Sequence, residues 1–173
     1  MVKFERVSRF ADADFAMPVR KTASSAGYDF AVAEDIIIPP MPTLMARLQS
    51  DDIVDLSTMA AMTKSTGAKP SLVSTGVKCK MEPNQYLELS VRSSTPLKYW
   101  LIMGNAVGIV DADYYNNPDN EGEIFFEIIN LSPISIILHK GDVIGQGIIK
   151  TYDKIDDDTT TDERAGGFGS TNG

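Results

Sequence analysis

"LVSTGVKCKMEPNQYLELSV", residues 72–91, decides the fold class. Two β-rich runs, 72–80 and 86–92, flank "MEPNQ" (81–85), a turn-like stretch holding Pro and Asn. The arrangement recurs at "HKGD" (139–142), which separates 134–138 from 143–150 and suggests a hairpin turn. Working outward, further strands are expected near 2–7, 27–33, 35–38, 100–104, 107–112 and 123–130. So many short strands imply an all-β sandwich, jelly roll or barrel. At 173 residues, one domain long enough to bury a full core is the simplest reading.

One segment breaks that rhythm. "SDDIVDLSTMAAMTK" (50–64) spaces Ile53, Leu56, Met59, Ala60 and Thr63 by threes and fours, which predicts an amphipathic helix. Ser50 is the expected cap, and Asp51 and Asp52 in the first turn oppose the helix dipole favourably. The stretch 40–70 therefore reads as a helical insertion on a β scaffold, either packed against it or offered to a protein partner.

Composition narrows the class. A net charge of −8 argues against nucleic acid or an anionic membrane as a partner, since either needs a basic footprint. Residues 151–173 hold six acids and two bases, so −4 of that charge lies in the tail. No apolar run approaches the roughly 20 residues that span a bilayer. "MVKFERVSRFADADF" (1–15) lacks the uninterrupted apolar core of a signal peptide. Cys79 stands alone, which excludes an intrachain disulfide and suits a reducing cytoplasm.

The available chemistry is also limited. With one His (His139) and one Cys, a structural zinc site is close to excluded, and nothing near His139 suggests a nucleophile. Catalysis would rest on carboxylates, hydroxyls, arginines and a hard, oxygen-bound metal such as Mg²⁺. In "GNAVGIVDADYY" (104–115), one straight strand would hold Asn105 and Asp111 roughly 20 Å apart, at a rise of ~3.3 Å per residue. A backbone folding back near Ala106–Gly108 would bring amide and carboxylate to one slot. The amide can match donor and acceptor on a pyrimidine edge, and the carboxylate can activate a water. A polar turn with capping acids accounts for the stretch equally well.

Three other stretches carry polar groups in apolar surroundings. "VRSST" (91–95) ends a strand with Arg92, Ser93, Ser94 and Thr95, a set suited to phosphate oxygens. "AGYDFAV" (26–32) holds Asp29, either a bulge acid or a group that holds water on a metal. "GDVIGQGII" (141–149) carries a single amide, Gln146. The tail "DKIDDDTTTDERAGGFGSTNG" (153–173) has too little apolar surface to fold alone. Yet Phe168 among Gly166, Gly167 and Gly169 could stack on a base while the backbone amides meet phosphate.

Taken in order, these stretches resemble the five motifs of the trimeric deoxyuridine triphosphatases (dUTP nucleotidohydrolases). "AGYDFAVAED" (26–35) is similar to the first, "VRSST" to the second and "GNAVGIVDADYY" to the third. "GDVIGQGII" resembles the fourth and "RAGGFGSTNG" (164–173) the fifth. The resemblance implies a distorted jelly-roll (β-clip) subunit over 1–151, a flexible C-terminal arm over 152–173 that closes on the site, and a homotrimer whose sites draw on more than one chain. It implies hydrolysis of dUTP to dUMP and pyrophosphate. Asp111 would be the general base, Asn105 and backbone at Gly108 would meet uracil in a β-hairpin, and Tyr114 would lie against the deoxyribose. Arg92, Ser93, Ser94 and Gln146 would bind phosphates. Asp29 would hold waters of a Mg²⁺ that the triphosphate ligates directly. In the arm, Phe168 would stack on uracil, with Arg164, Gly169, Ser170 and Thr171 at the phosphates.

The chain departs from that pattern in three places. "YNNPDNEGE" (115–123) lengthens the stretch after the third motif, and 40–70 lengthens the link between the first two. The spacing from Arg164 to Phe168 is one residue short, with Asn172 where a glycine is common. Two other readings remain: a dCTP deaminase of the same fold, and a non-catalytic regulator that binds a protein partner through 40–70.

Overall fold

The computed structural model describes residues 1–48, 53–162, 164 and 166. In chain order the elements are β1 (Lys3–Arg6), β2 (Tyr28–Ala31), β3 (Ile36–Ile38), α1 (Met41–Met45), α2 (Leu56–Thr66), β4 (Ser71–Ser74), β5 (Val77–Lys80) and β6 (Gln85–Val91). There follow α3 (Ser94–Tyr99), β7 (Leu101–Met103), β8 (Gly108–Asp111), β9 (Phe125–Asn130), β10 (Ile136–Leu138) and β11 (Val143–Thr151). The chain is a jelly roll with few helices.

Alternation decides which side of each strand is buried. In β6, Leu87 and Leu89 point inward while Glu88 and Ser90 do not; in β9, Phe126, Ile128 and Asn130 are buried. A four-stranded sheet in the order β2-β11-β6-β8 faces a three-stranded one in the order β4-β9-β7, and β1-β5 and β3-β10 form two further pairs. Phe30 and Phe126, both fully buried, meet across the core with ring centroids 5.8 Å apart. Gly145 in β11 makes that closeness possible, since a Cβ there would lie 2.2 Å from the Phe126 ring.

None of these pairings joins strands adjacent in the chain. The turns at 81–85 and 139–142 exist, but they carry the chain from one sheet or pair to another. The hairpin expected beside His139 is therefore absent: β10 pairs with β3, and β11 with β2 and β6. His139 instead meets Asp35 at 3.1 Å on the surface.

Two more expectations need correction. The run 72–80 is not one strand, because it breaks at Thr75–Gly76, where Gly76 takes φ +65°. The break is fixed from far away. The Gly76 amide donates to the buried Glu123 carboxylate at 3.1 Å, and the Thr75 hydroxyl donates to the Ile124 carbonyl at 2.6 Å. The helix starts at Leu56 and not at 50, with Asp55 as its cap: the Asp55 carboxylate accepts from the Thr58 amide at 2.8 Å. Ser50, Asp51 and Asp52 lie outside the described residues. α2 buries none of its side chains, and Leu56 is 90% exposed, so among the described residues the apolar spacing serves no packed face. Gly67 ends it in the left-handed conformation at φ +66°.

Candidate functional site

β8 and the turn before it build the first half of the site. β7 pairs with β9, and β8 with β6, so residues 104–107 turn a corner between the two sheets and do not close a hairpin of paired strands. The corner is tight. The Val107 amide donates to the Asn105 carbonyl at 2.6 Å, and Ala106 takes φ +60°. The chain thus folds back at Ala106–Gly108, though into another sheet. Asn105, Gly108, Asp111 and Tyr114 all line one cavity of about 130 Å³, with Leu89 and Ile124 at its apolar side. That volume is below the roughly 300–1,000 Å³ of whole-ligand sites, so it suits one ring and not a nucleotide.

The polar groups of this cavity are oriented. Tyr114 is 8% exposed, and burial pushes its phenol pKa up, so the hydroxyl stays protonated. Arg164 reaches in from the C-terminal segment. Its guanidinium donates to Asp113 at 2.8 Å and to Asp111 at 2.6 Å, and it lies 5.8 Å from the Tyr114 ring centroid. These contacts raise the Arg164 pKa, the Asp113 hydrogen bond most of all. The family resemblance implies phosphates as the partners of Arg164; here it forks across two carboxylates, one of them Asp111. Asp113 stands out in the sequence as a second carboxylate interrupting 104–115, but no role follows for it until the Arg164 contact is seen.

The second half lies on the other side of β6. Register puts Asp29 opposite Gln146, and Gln146 opposite Ser90, in one row across β2, β11 and β6. Arg92 and Ser93 follow directly after β6. Asp29, Arg92, Ser93 and Gln146 line a cavity of about 250 Å³ with Lys21 and Gly27. Asp29 is the unusual member: its Oδ2 is buried without a hydrogen-bond partner, and the Arg92 Nε stands 3.9 Å away. A buried carboxylate oxygen in that position calls for a cation or an ordered water. Among the described residues no three His, Cys, Asp or Glu side chains converge on a metal position. Ser94, by contrast, begins α3 and lines a different cavity with Thr95 and Tyr99.

The halves do not meet within one chain. Asp111 pairs with Tyr86 and Gln146 with Ser90, on opposite edges of β6. Four residues of strand and two strand spacings separate them by roughly 16 Å. Phe168, Gly169, Ser170 and Thr171 lie outside the described residues. A larger cavity of about 780 Å³ is lined by Arg9, Ser74 and Glu123 among others. Its charges answer one another, Arg9 donating to Glu123 at 3.1 Å and Ser74 hydrogen-bonding to the same carboxylate, so it offers no unmet polar group of this kind.

Comparison with known proteins matches residues 47–172 to the dUTPase family. The chain is similar to the deoxyuridine 5'-triphosphate nucleotidohydrolase of Lactococcus lactis, with 34% identity over 97% of this chain and 95% of that protein. The corresponding protein of Wolinella succinogenes is 29% identical over 90% of this chain and 85% of its own length. Among solved structures, the dUTPase from Streptococcus mutans superposes with a TM-score of 0.67 at 32% identity, covering 88% of this chain and 98% of that one. A mutant dUTPase from phage phi11 of S. aureus, described for its coordination of a structural Mg(II) ion, shares the fold with a TM-score of 0.62 at 15% identity, over 94% and 97% of the two chains.

Proposed function

The chain belongs to the dUTPase family, and on that premise we propose that it hydrolyses dUTP to dUMP and pyrophosphate. The observation that carries this reading is the single cavity shared by the Asn105 amide, the Asp111 carboxylate and the Tyr114 ring. Asn105 supplies donor and acceptor to the uracil edge, with backbone groups at Gly108 beside it. Tyr114 lies against the sugar and leaves no room for a 2′-hydroxyl. Asp111 takes a proton from the water that attacks the α-phosphorus.

Arg92, Ser93 and Gln146 bind the phosphates, with Ser94 the outlying member because it faces another cavity. Mg²⁺ would fit beside Asp29, whose unsatisfied buried oxygen would hold a water of an ion carried by the triphosphate. When bound, the ion screens the charge of the triphosphate. Asp29 and Arg92 would fix where that charge sits, while Asp111 orients and deprotonates the attacking water.

The roughly 16 Å between the two halves favours a homotrimer in which one copy's Asn105–Tyr114 cavity faces another copy's Asp29–Gln146 cavity. Exposed Ile37 and Ile137, paired across β3 and β10, together with exposed Trp100, offer apolar surface for a neighbouring copy. Residues 152–173 act as the arm that closes the site, with Arg164, Phe168, Gly169, Ser170 and Thr171 over the ligand. Among the described residues no helix is long and apolar enough to cross a membrane, and burial holds the Cys79 thiol protonated with a pKa of about 12. A single cysteine, with no second one to bridge to, suits a reducing cytoplasm. The exposed α2 is the surface on which a protein partner would dock.

Mixing two inactive variants tests the site. Asp111→Asn and Arg92→Ala chains, refolded together, should regain part of the turnover that each lacks alone. If the mixture stays dead while each variant folds and assembles, the two cavities do not form one site.

A further inference from the structure

We propose that Asn120 is a positioning residue: from the 115–123 loop it holds the Tyr114 ring in the attitude that admits deoxyribose and rejects ribose. The proposal rests on the reading of Tyr114 given above. The Asn120 Nδ2 donates to the Tyr114 hydroxyl at 2.7 Å. The direction of that bond is set by the rest of the loop. The Asn120 Oδ1 already accepts from the Gly122 amide at 3.0 Å and from the Asn117 Nδ2 at 2.7 Å, so its NH₂ must face the tyrosine.

Asn117 is fixed by the same logic. Its Oδ1 accepts from the amides of Asp119 at 3.0 Å and Asn120 at 3.3 Å, while its Nδ2 also donates to the Tyr114 carbonyl at 3.0 Å. The two asparagines thus hold Tyr114 at both ends, backbone and hydroxyl. Gly122 closes the loop at φ +81°, where a Cβ would stand 2.4 Å from the Tyr114 carbonyl oxygen. Every side-chain amide atom in this chain of contacts has a partner, which makes the tyrosine's attitude unique.

Asn120 does not line the small cavity, so it acts through Tyr114 and not on substrate. A ring held at both ends resists the tilt that would make space for a 2′-hydroxyl. Loss of the tether should therefore relax rejection of UTP more than it harms use of dUTP.

The test compares kcat/KM for dUTP and UTP in the wild type, Asn120→Ala, Asn120→Ser, Tyr114→Phe and the Asn120→Ala/Tyr114→Phe double variant. The serine variant keeps an oxygen near the Gly122 amide and guards against misfolding of the loop. In either Asn120 variant the preference for dUTP should fall about 5-fold, the worth of one neutral hydrogen bond, and UTP turnover should rise. Tyr114→Phe should lose the same factor, and Asn120→Ala should add nothing in that background. An equal loss for both substrates, or additive effects in the double variant, overturns the proposal. A wild type with no preference for dUTP would instead refute the functional reading beneath it.

Discussion

Two stretches lengthen this chain between its motifs, and the protein treats them in opposite ways. The loop at 115–123 is bound into the fold. Asn117 is buried, Lys78 donates to Asn116 at 2.7 Å, and Glu121 accepts from Ser8 and Lys78. Among the described residues the insertion is anchored only outside its helix, where Leu44 and Ala68 are buried; α2 makes no comparable commitment, being held at one end by the Asp55 cap and at the other by Gly67, with no buried side chain between. An added segment next to a site has its polar groups satisfied from several directions, and so it can transmit geometry. An added segment on the surface needs only its own caps.

The sharpest way to break this contrast begins at the site. Asp111→Asn should lower kcat by about 10²–10⁴-fold with little change in unfolding temperature, because the side chain is exposed and its loss concerns a proton and not packing. Full activity in that variant would remove the carboxylate from the mechanism. Next comes the buried loop. Asn117→Ala leaves the Asp119 and Asn120 amides without their acceptor and should cost about 1–3 kcal/mol in denaturant unfolding. Leu56→Ala, on the exposed helix, should stay within about 0.5 kcal/mol of wild type. If the two values were reversed, the contrast would be wrong.

The smallest effect concerns pH. Hydrogen bonds from Thr58 lower the Asp55 pKa from its ordinary 3.8. A lowered folded pKa means that the cap's contribution is complete above the ordinary value and is lost as pH falls through the folded one. The Thr58 amide shift followed by NMR should titrate with a midpoint below 3.8. A midpoint at or above it would mean the cap is not formed in solution.

Much of this was legible in the sequence, for identifiable reasons. Alternation in "QYLELSV" and "FFEIIN" marks β6 and β9, because each has one buried face and a period of two. The fold-back at Ala106–Gly108 was legible from its glycines and polar residues, and it does gather Asn105 and Asp111 in one cavity. What failed depended on distant partners. The break at Gly76 is set by Glu123 and Ile124, more than forty residues away, and the choice of sheet for β8, β10 and β11 is likewise non-local. The helix start was misread because Ser50 and Asp55 are equally plausible caps by composition, and only the Thr58 contact distinguishes Asp55. The link from Asn120 to Tyr114 was invisible for another reason. A loop holding three asparagines, Asn116, Asn117 and Asn120, and a proline reads as a solvated turn until its side-chain amides are seen to be paired.

The central claim is the reaction itself. The purified protein, given Mg²⁺ and in separate tubes dUTP, dCTP, dTTP and UTP, should release pyrophosphate and dUMP from dUTP and leave the other three essentially untouched. Ammonia from dCTP would indicate a deaminase on the same scaffold. No turnover of any nucleotide would contradict the role given to Asp111 and leave the exposed α2, with a regulator's binding function, as the better account.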